Sequence, residues 1–222
     1  MKLPDKRVLV VIATALSVAS CSSSSGSSTG PGTGPTTFQG VFAADTKSGV
    51  LTLVSGSPAS GELAFSGGPT VALSGTFTSS TSAFAMTGGG YAVSATVNSS
   101  NQLSGTLTGT GIATAGSLVA QAVATTATAI RYCGMYTGGD NGRVNFSVLG
   151  QSVAAVATVS GGNLTGFGSF DSPSHFTVVF VLKDGSNKKV NVQGNQVLLY
   201  LTGTWSNEYG ESGVFNSSQT LC

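Results

Sequence analysis

From Phe176 to Leu182 the sequence alternates between two faces. Phe176, Val178, Phe180 and Leu182 fall on one side and Thr177, Val179 and Val181 on the other. A period of two is that of a β-strand with distinct faces. Short runs of this kind, punctuated by Gly, Ser, Asn and Asp, fill the chain beyond residue 37, and none has convincing helical spacing. Asp184-Gly185-Ser186-Asn187 reads as a hairpin turn, and Gly194-Asn195 reads as a two-residue turn between the strands on either side. The Ala-rich stretch 116–132 reads as an edge strand followed by a linker. The fold expected is all-β and antiparallel.

The second constraint is self-similarity. At an offset of 94 positions "FQGVF" (38–42) lies on "YCGMY" (132–136) and "SGG" (66–68) on "SGG" (160–162). At the same offset "NQL" (101–103) lies on "NQV" (195–197) and "LTGT" (107–110) on "LTGT" (201–204). Two related units follow, repeat 1 at 38–130 and repeat 2 at 131–222, each of about seven or eight strands in a small barrel or sandwich. Phe176, Phe180 and Leu182 are large inward residues and are expected to fill a small barrel rather than leave a pocket.

The first 37 residues are different. Lys2, Lys6 and Arg7 precede an apolar run, Val8–Val18, which at eleven residues falls short of the roughly 20 that a spanning helix needs. A basic start followed by a short apolar run describes a removable export signal, assigned to residues 1–20. Its ending, Val18-Ala19-Ser20-Cys21, resembles the lipobox of bacterial lipoproteins. That resemblance implies a diacylglycerol on the Cys21 thiol, cleavage before Cys21 and acylation, such as palmitoylation, of the new amino terminus. It also implies that Ser22 directs the chain to the outer membrane of the cell envelope. Residues 21–37, "CSSSSGSSTGPGTGPTT", read as the lipidated cysteine and a disordered tether. The G-x-S-x-G pattern at Gly26–Gly30 lies in this tether, away from the strand-to-helix elbow that a serine hydrolase requires.

Three cysteines are an odd number for an exported chain. With Cys21 lipidated, Cys133 and Cys222 are left as a disulfide that ties the two ends of repeat 2. The places equivalent to these in repeat 1 are read as Gln39 and Thr128, so repeat 1 lacks this bond.

Removing the leader leaves six basic and seven acidic residues, and this near-neutral balance lacks the basic surface that nucleic-acid binding requires. No catalytic, metal-ligating or cofactor-binding constellation emerges. His175 with Asp171 has the elements of a base and its orienter, but Ser172-Pro173-Ser174 between them marks a solvated turn. "LTGTWSNEYGES" (201–212) resembles the opening strand of avidin-type biotin-binding barrels, which would make Asn207 a ligand residue. Only ten residues follow Ser212, where that family continues for seven strands, so Trp205 is read instead as a core or rim residue beside Tyr209.

At the 94-residue offset, outward Ser104 and Thr106 become Leu198 and Tyr200, and Ala85 and Thr87 become Val179 and Val181. These four apolar residues form the candidate interface, packed either against repeat 1 or against a ligand, protein or glycan partner. The sequence thus describes a lipid-anchored, non-enzymatic binding or structural module. A ligand-carrying barrel is the alternative and a secreted hydrolase a remote one.

Overall fold

The computed structural model describes residues 34–45, 47–124, 127–160, 162–181 and 188–222. The leader, Cys21 and most of the tether lie outside them, as does the expected turn at 184–187.

Gly34–Cys222 contains two closed eight-stranded antiparallel barrels in tandem. Barrel 1 comprises β1 (Thr37–Ala44), β2 (Lys47–Val54), β3 (Ala59–Phe65), β4 (Thr70–Thr78), β5 (Ala83–Gly88), β6 (Tyr91–Val97), β7 (Gln102–Gly109) and β8 (Gly116–Val123). Barrel 2 comprises β9 (Ile130–Gly138), β10 (Gly142–Leu149), β11 (Ser152–Val159), β12 (Gly162–Phe170), β13 (His175–Val181), β14 (Lys189–Val197), β15 (Tyr200–Asn207) and β16 (Ser212–Ser218). In each barrel every strand pairs with its sequence neighbours, and the eighth pairs with the first. Closure leaves no free edge.

The alternation read from the sequence supplies both interiors. Phe176, Val178 and Phe180 are buried in barrel 2 beside Tyr132, Phe146 and Phe215. Phe38, Phe42, Leu51, Leu63 and Phe84 form the matching core of barrel 1. Cys133 and Cys222 are bonded, with Cα atoms 5.0 Å apart, so the ends of repeat 2 meet as expected. At the matching strand position in barrel 1, Gln39 Oε1 instead accepts a hydrogen bond of 2.9 Å from Ala129 N.

Two expectations are corrected. The Ala-rich stretch is no edge: β8 pairs with both β7 and β1 and closes barrel 1. Gly194-Asn195 is no turn: both residues lie inside β14, and Leu198-Leu199 makes the hairpin to β15.

The barrels meet side by side along β1 and β8 of one and β10 and β11 of the other. Val41, Ala43 and Val119 pack on Ala154 and Val156 in a third apolar cluster. These strands are buried on both faces, hence their continuous runs of small apolar residues. Buried amides set the register: Asn145 Nδ2 donates to Phe42 O at 2.8 Å and Gln121 Nε2 to Ser147 O at 3.0 Å. Asn145→Ala is expected to destabilise by about 1–3 kcal/mol, because a fully buried partner loses its bond. A falling urea midpoint would register the loss, and an unchanged midpoint would deny Asn145 that role.

Further contacts orient the pair. Arg143, near the start of β10, lies 3.4 Å from Ser48 near the start of β2, while Ser147 towards the end of β10 lies 3.5 Å from Gln39 near the start of β1. Asn163 Nδ2 at the start of β12 donates to Ala115 O beside β8 at 2.9 Å. The ends holding the β1–β2 and β9–β10 connections therefore lie on one side of the molecule. The ends where β1 and β9 begin lie on the other.

Candidate functional site: the open mouth of barrel 2

Strand pairing gives an equivalence between barrels that differs from the ungapped one. Phe42 matches Tyr136, since each pairs with the eighth strand's buried aromatic or leucine, Leu118 or Phe215. Leu103–Leu107 of β7, "LSGTL", matches Leu201–Trp205 of β15, "LTGTW". The cause lies in the connections. The β5–β6 turn has two residues whereas seven join β13 to β14, and the β6–β7 turn has four whereas two join β14 to β15. The 94-residue offset holds to within two residues through the first five strands of each barrel and fails beyond them.

This register exposes the difference that matters. At the mouth of barrel 1, Phe65 and Tyr91 lie with ring centroids 4.8 Å apart, and Phe42 meets Phe65 at 5.1 Å. Lys47 Nζ closes over them, donating to Tyr91 Oη and Thr110 O, each at 2.7 Å. In barrel 2 the positions of Phe65 and Tyr91 hold Val159 and Val190, and the position of Lys47 holds Asp140. Part of the lost aromatic mass returns on neighbouring strands, where Phe180, the partner of Val190, replaces Gly88, and Trp205, the partner of Val192, replaces Leu107. The result is an open cup of about 400 Å³. Its floor and wall include Tyr136, Val144, Phe180, Trp205 and Phe215, and its rim Asp140, Asn163, Asn207, Tyr209 and Glu211. Contrary to the expectation from the large inward residues, Phe176 is buried in the core and Phe180 lines the cup, yet the mouth is left open; Leu182 lies outside the described residues.

The rim is built around acceptors. The Asp140 carboxylate accepts from Ser160 Oγ at 2.6 Å, Asn141 N at 2.8 Å, Tyr136 Oη at 3.0 Å and Ser160 N at 3.2 Å. Partial burial works to raise its pKa, but these hydrogen bonds, led by Ser160, outweigh that and hold it below the ordinary aspartate value. Burial first, and then the neighbouring Asp140, push the Tyr136 phenol well above its ordinary range, so it stays neutral. Its one proton faces two acceptors, Thr158 O at 2.7 Å and Asp140 Oδ2. Asn163 adds a buried Oδ1 with no hydrogen-bond partner among the described residues. Across the mouth, Asn207 Nδ2 donates to Glu211 at 2.7 Å, while Lys188 Nζ lies 3.6 Å from the Tyr209 ring centroid.

A depressed carboxyl stabilises the fold above its unfolded pKa, and the contribution disappears as pH falls through the folded value. The β9–β10 and β11–β12 connections are accordingly expected to loosen only below the ordinary aspartate pKa near 4. A Ser160 amide NMR shift that titrates in that range would report it. A flat Ser160 signal there, or one that moves only near neutrality, would contradict it.

The other sequence-derived residues fall elsewhere. Trp205 and Tyr209 line the same cup, and Asn207 lies on its rim, although 201–207 belongs to the seventh strand of barrel 2 rather than to an opening one. His175 Nδ1 lies 2.7 Å from Asp171 Oδ1, both side chains well exposed beside a turn at the opposite end. Val179 and Val181 lie on the outer wall of β13, exposed, and do not pack against repeat 1. Leu198 is in the β14–β15 turn, seven residues along β14 from Asn191, the partner of Val179, or about 23 Å at strand rise. The four candidate interface residues do not form one patch. Reading the sequence missed Asp140, Ser160, Val159 and Val190 as site residues, although Val159 stands 94 positions after Phe65 and the exchange of Tyr91 for Val190 was present once the gaps were placed.

No known protein-family model matches the chain, and no curated protein matches it. Among solved structures it is similar to the Myxococcus xanthus hemagglutinin, in complex with a3,a6-mannopentaose, at 16% identity over 82% of this chain and 88% of that one, with a TM-score of 0.21. It is also similar to a DUF3598-family protein of unknown function from Nostoc punctiforme, at 10% identity over 83% and 95%, with a TM-score of 0.20. At such scores these likenesses carry no argument about ligand or activity.

Proposed function

We propose that this chain is a non-enzymatic binding protein of the bacterial envelope, anchored by a lipid at Cys21, whose second barrel takes up a small ligand at its mouth. The observation that carries the reading is the contrast between two mouths of one design, one plugged by Phe65, Tyr91 and Lys47, the other open. Barrel mouths are preferred sites for small ligands, and about 400 Å³ is at the small end of the usual pocket range. Aromatic walls call for an apolar, flat body. Asp140 Oδ2 and Thr158 O share the one Tyr136 proton, and this surplus of acceptors calls for a group that donates hydrogen bonds.

Trp205 is the only tryptophan and lines the cup, so its fluorescence reports occupancy. N-phenyl-1-naphthylamine, an uncharged aromatic amine with one N–H donor, is a suitable probe. Saturable energy transfer from Trp205 to the bound dye is the expected result. No transfer up to the dye's solubility limit would refute the binding reading and leave a structural role. The anchor is read separately, from the mass of the peptide carrying Cys21.

A further inference from the structure

The end of barrel 2 opposite the cup carries an apolar tip. Val197, Leu198, Leu199 and Tyr200 form the β14–β15 hairpin, with Ile130 and Leu221 exposed at the same end. Leu198 is 85% exposed and has φ of 54°. Left-handed backbone favours Gly, Asn or Asp and disfavours branched side chains, and the first position of a two-residue hairpin turn commonly takes one of these three. A leucine held there in solvent opposes both local conformational preference and burial, which points to a role outside the fold.

Two observations identify what covers it. The chain enters barrel 1 at this same end: Ser55 N donates to Thr36 O at 2.9 Å, which places Thr36 beside the β2–β3 connection. The described chain thus begins, at Gly34, on the side of the molecule that bears the apolar tip, and the sixteen residues from Ser22 to Thr37 are a length that reaches about 20–25 Å as a flexible chain. Charge is also segregated. The connections at this end, 55–58, 79–82, 98–101, 150–151, 171–174 and 198–199, contain Asp171 as their one charged residue, with Arg131 at the start of β9 beside Ile130. Asp45, Lys47, Asp140, Arg143, Glu208 and Glu211 all lie at the mouth end.

We infer that the Val197–Tyr200 hairpin is a membrane-docking tip, which inserts Leu198 and Leu199 into the acyl boundary of a bilayer and turns the cup away from it. The inference rests on the lipid-anchored reading for its tether, but not on ligand binding. Leucines and an interfacial tyrosine suit such a boundary, and a rim poor in charge, with Asp171 in its connections and Arg131 half-buried beside Ile130, limits the cost of bringing fixed charge to lipid. Lipid attachment at Cys21 and the tip then act as two linked contacts, which raises membrane residence and fixes orientation.

The test is photolabelling of the full-length protein, extracted from its membrane and reconstituted in phosphatidylethanolamine–phosphatidylglycerol vesicles containing a phospholipid with a diazirine in its acyl chain. Adducts on residues 197–200, at least tenfold above those on 208–211, are expected. The double substitution Leu198→Asp, Leu199→Asp is expected to cut hairpin adducts at least tenfold. Leu198→Gly provides the second variant: it relieves the left-handed position, so the melting temperature is expected to rise while lipid adducts fall. An unlabelled hairpin on vesicle-bound protein would overturn the inference, as would equal labelling of both ends. Cross-links between the hairpins of two copies would also overturn it, by assigning the tip to self-association. An unmodified Cys21 with a labelled hairpin would refute the anchor and leave the docking tip standing.

Discussion

Val159→Phe combined with Val190→Tyr is expected to close the cup and weaken dye uptake by barrel 2 at least tenfold, or about 1.4 kcal/mol. The substitutions bring the two rings of the barrel 1 plug, 4.8 Å apart there, to the matching positions of barrel 2, with Phe180 beside position 190 where barrel 1 has Gly88. Overpacking an interior costs roughly 1–3 kcal/mol, but these side chains enter an open mouth rather than a filled core. The fold is therefore expected to persist, with an unchanged or raised melting temperature. Energy transfer from Trp205 to N-phenyl-1-naphthylamine measures the outcome. Undiminished transfer in the folded variant would place the dye outside the cup and remove the central support for a ligand at this mouth.

The second large effect concerns the disulfide. Cys133 and Cys222 are 89 positions apart, and their bond joins the first strand of barrel 2 to the segment after the last. In the chain-entropy model, closing a loop of that length contributes about 4–5 kcal/mol, an upper figure. Replacing both by Ser is expected to lower the unfolding temperature of barrel 2 by roughly 15 °C or more. Barrel 1 closes through β1–β8 pairing and the Gln39–Ala129 hydrogen bond, and it contains no cysteine in its strands. Its transition should move little, apart from what the shared apolar cluster transmits. Calorimetry of the full chain with and without the two substitutions reads both. Equal stability would show that strand pairing between β9 and β16 alone holds the ends of barrel 2.

Much of the fold was legible because period-two alternation is a local property. The inward set of β13 could be read residue by residue, and the cysteine pairing followed from number and position. Turns were less legible. Gly194 and Asn195 have the chemistry of a two-residue turn, yet they continue β14, with Gly194 placed against Gly203 and Phe215, where a Cβ would meet Thr202 O. Leucines make the actual turn, against local preference, because register is fixed by the buried faces on both sides rather than by the turn residues.

The Ala-rich segment shows why a composition signal can mislead. Its small residues suit a weak edge strand when read alone, and here they allow the backbones of two barrels to approach. The cup was hidden for a related reason. Its cause is a size exchange between repeats, Phe65 for Val159 at the constant offset and Tyr91 for Val190 at 99 positions, and connections of unequal length hide the second of these. The sequence alone determined that the chain alternates, duplicates and cross-links, since these depend on residue spacing. Which end is open and which is greasy depended on the three-dimensional register of sixteen strands. Packing at a barrel mouth is a sum over residues distant in sequence, and only closure brings them together.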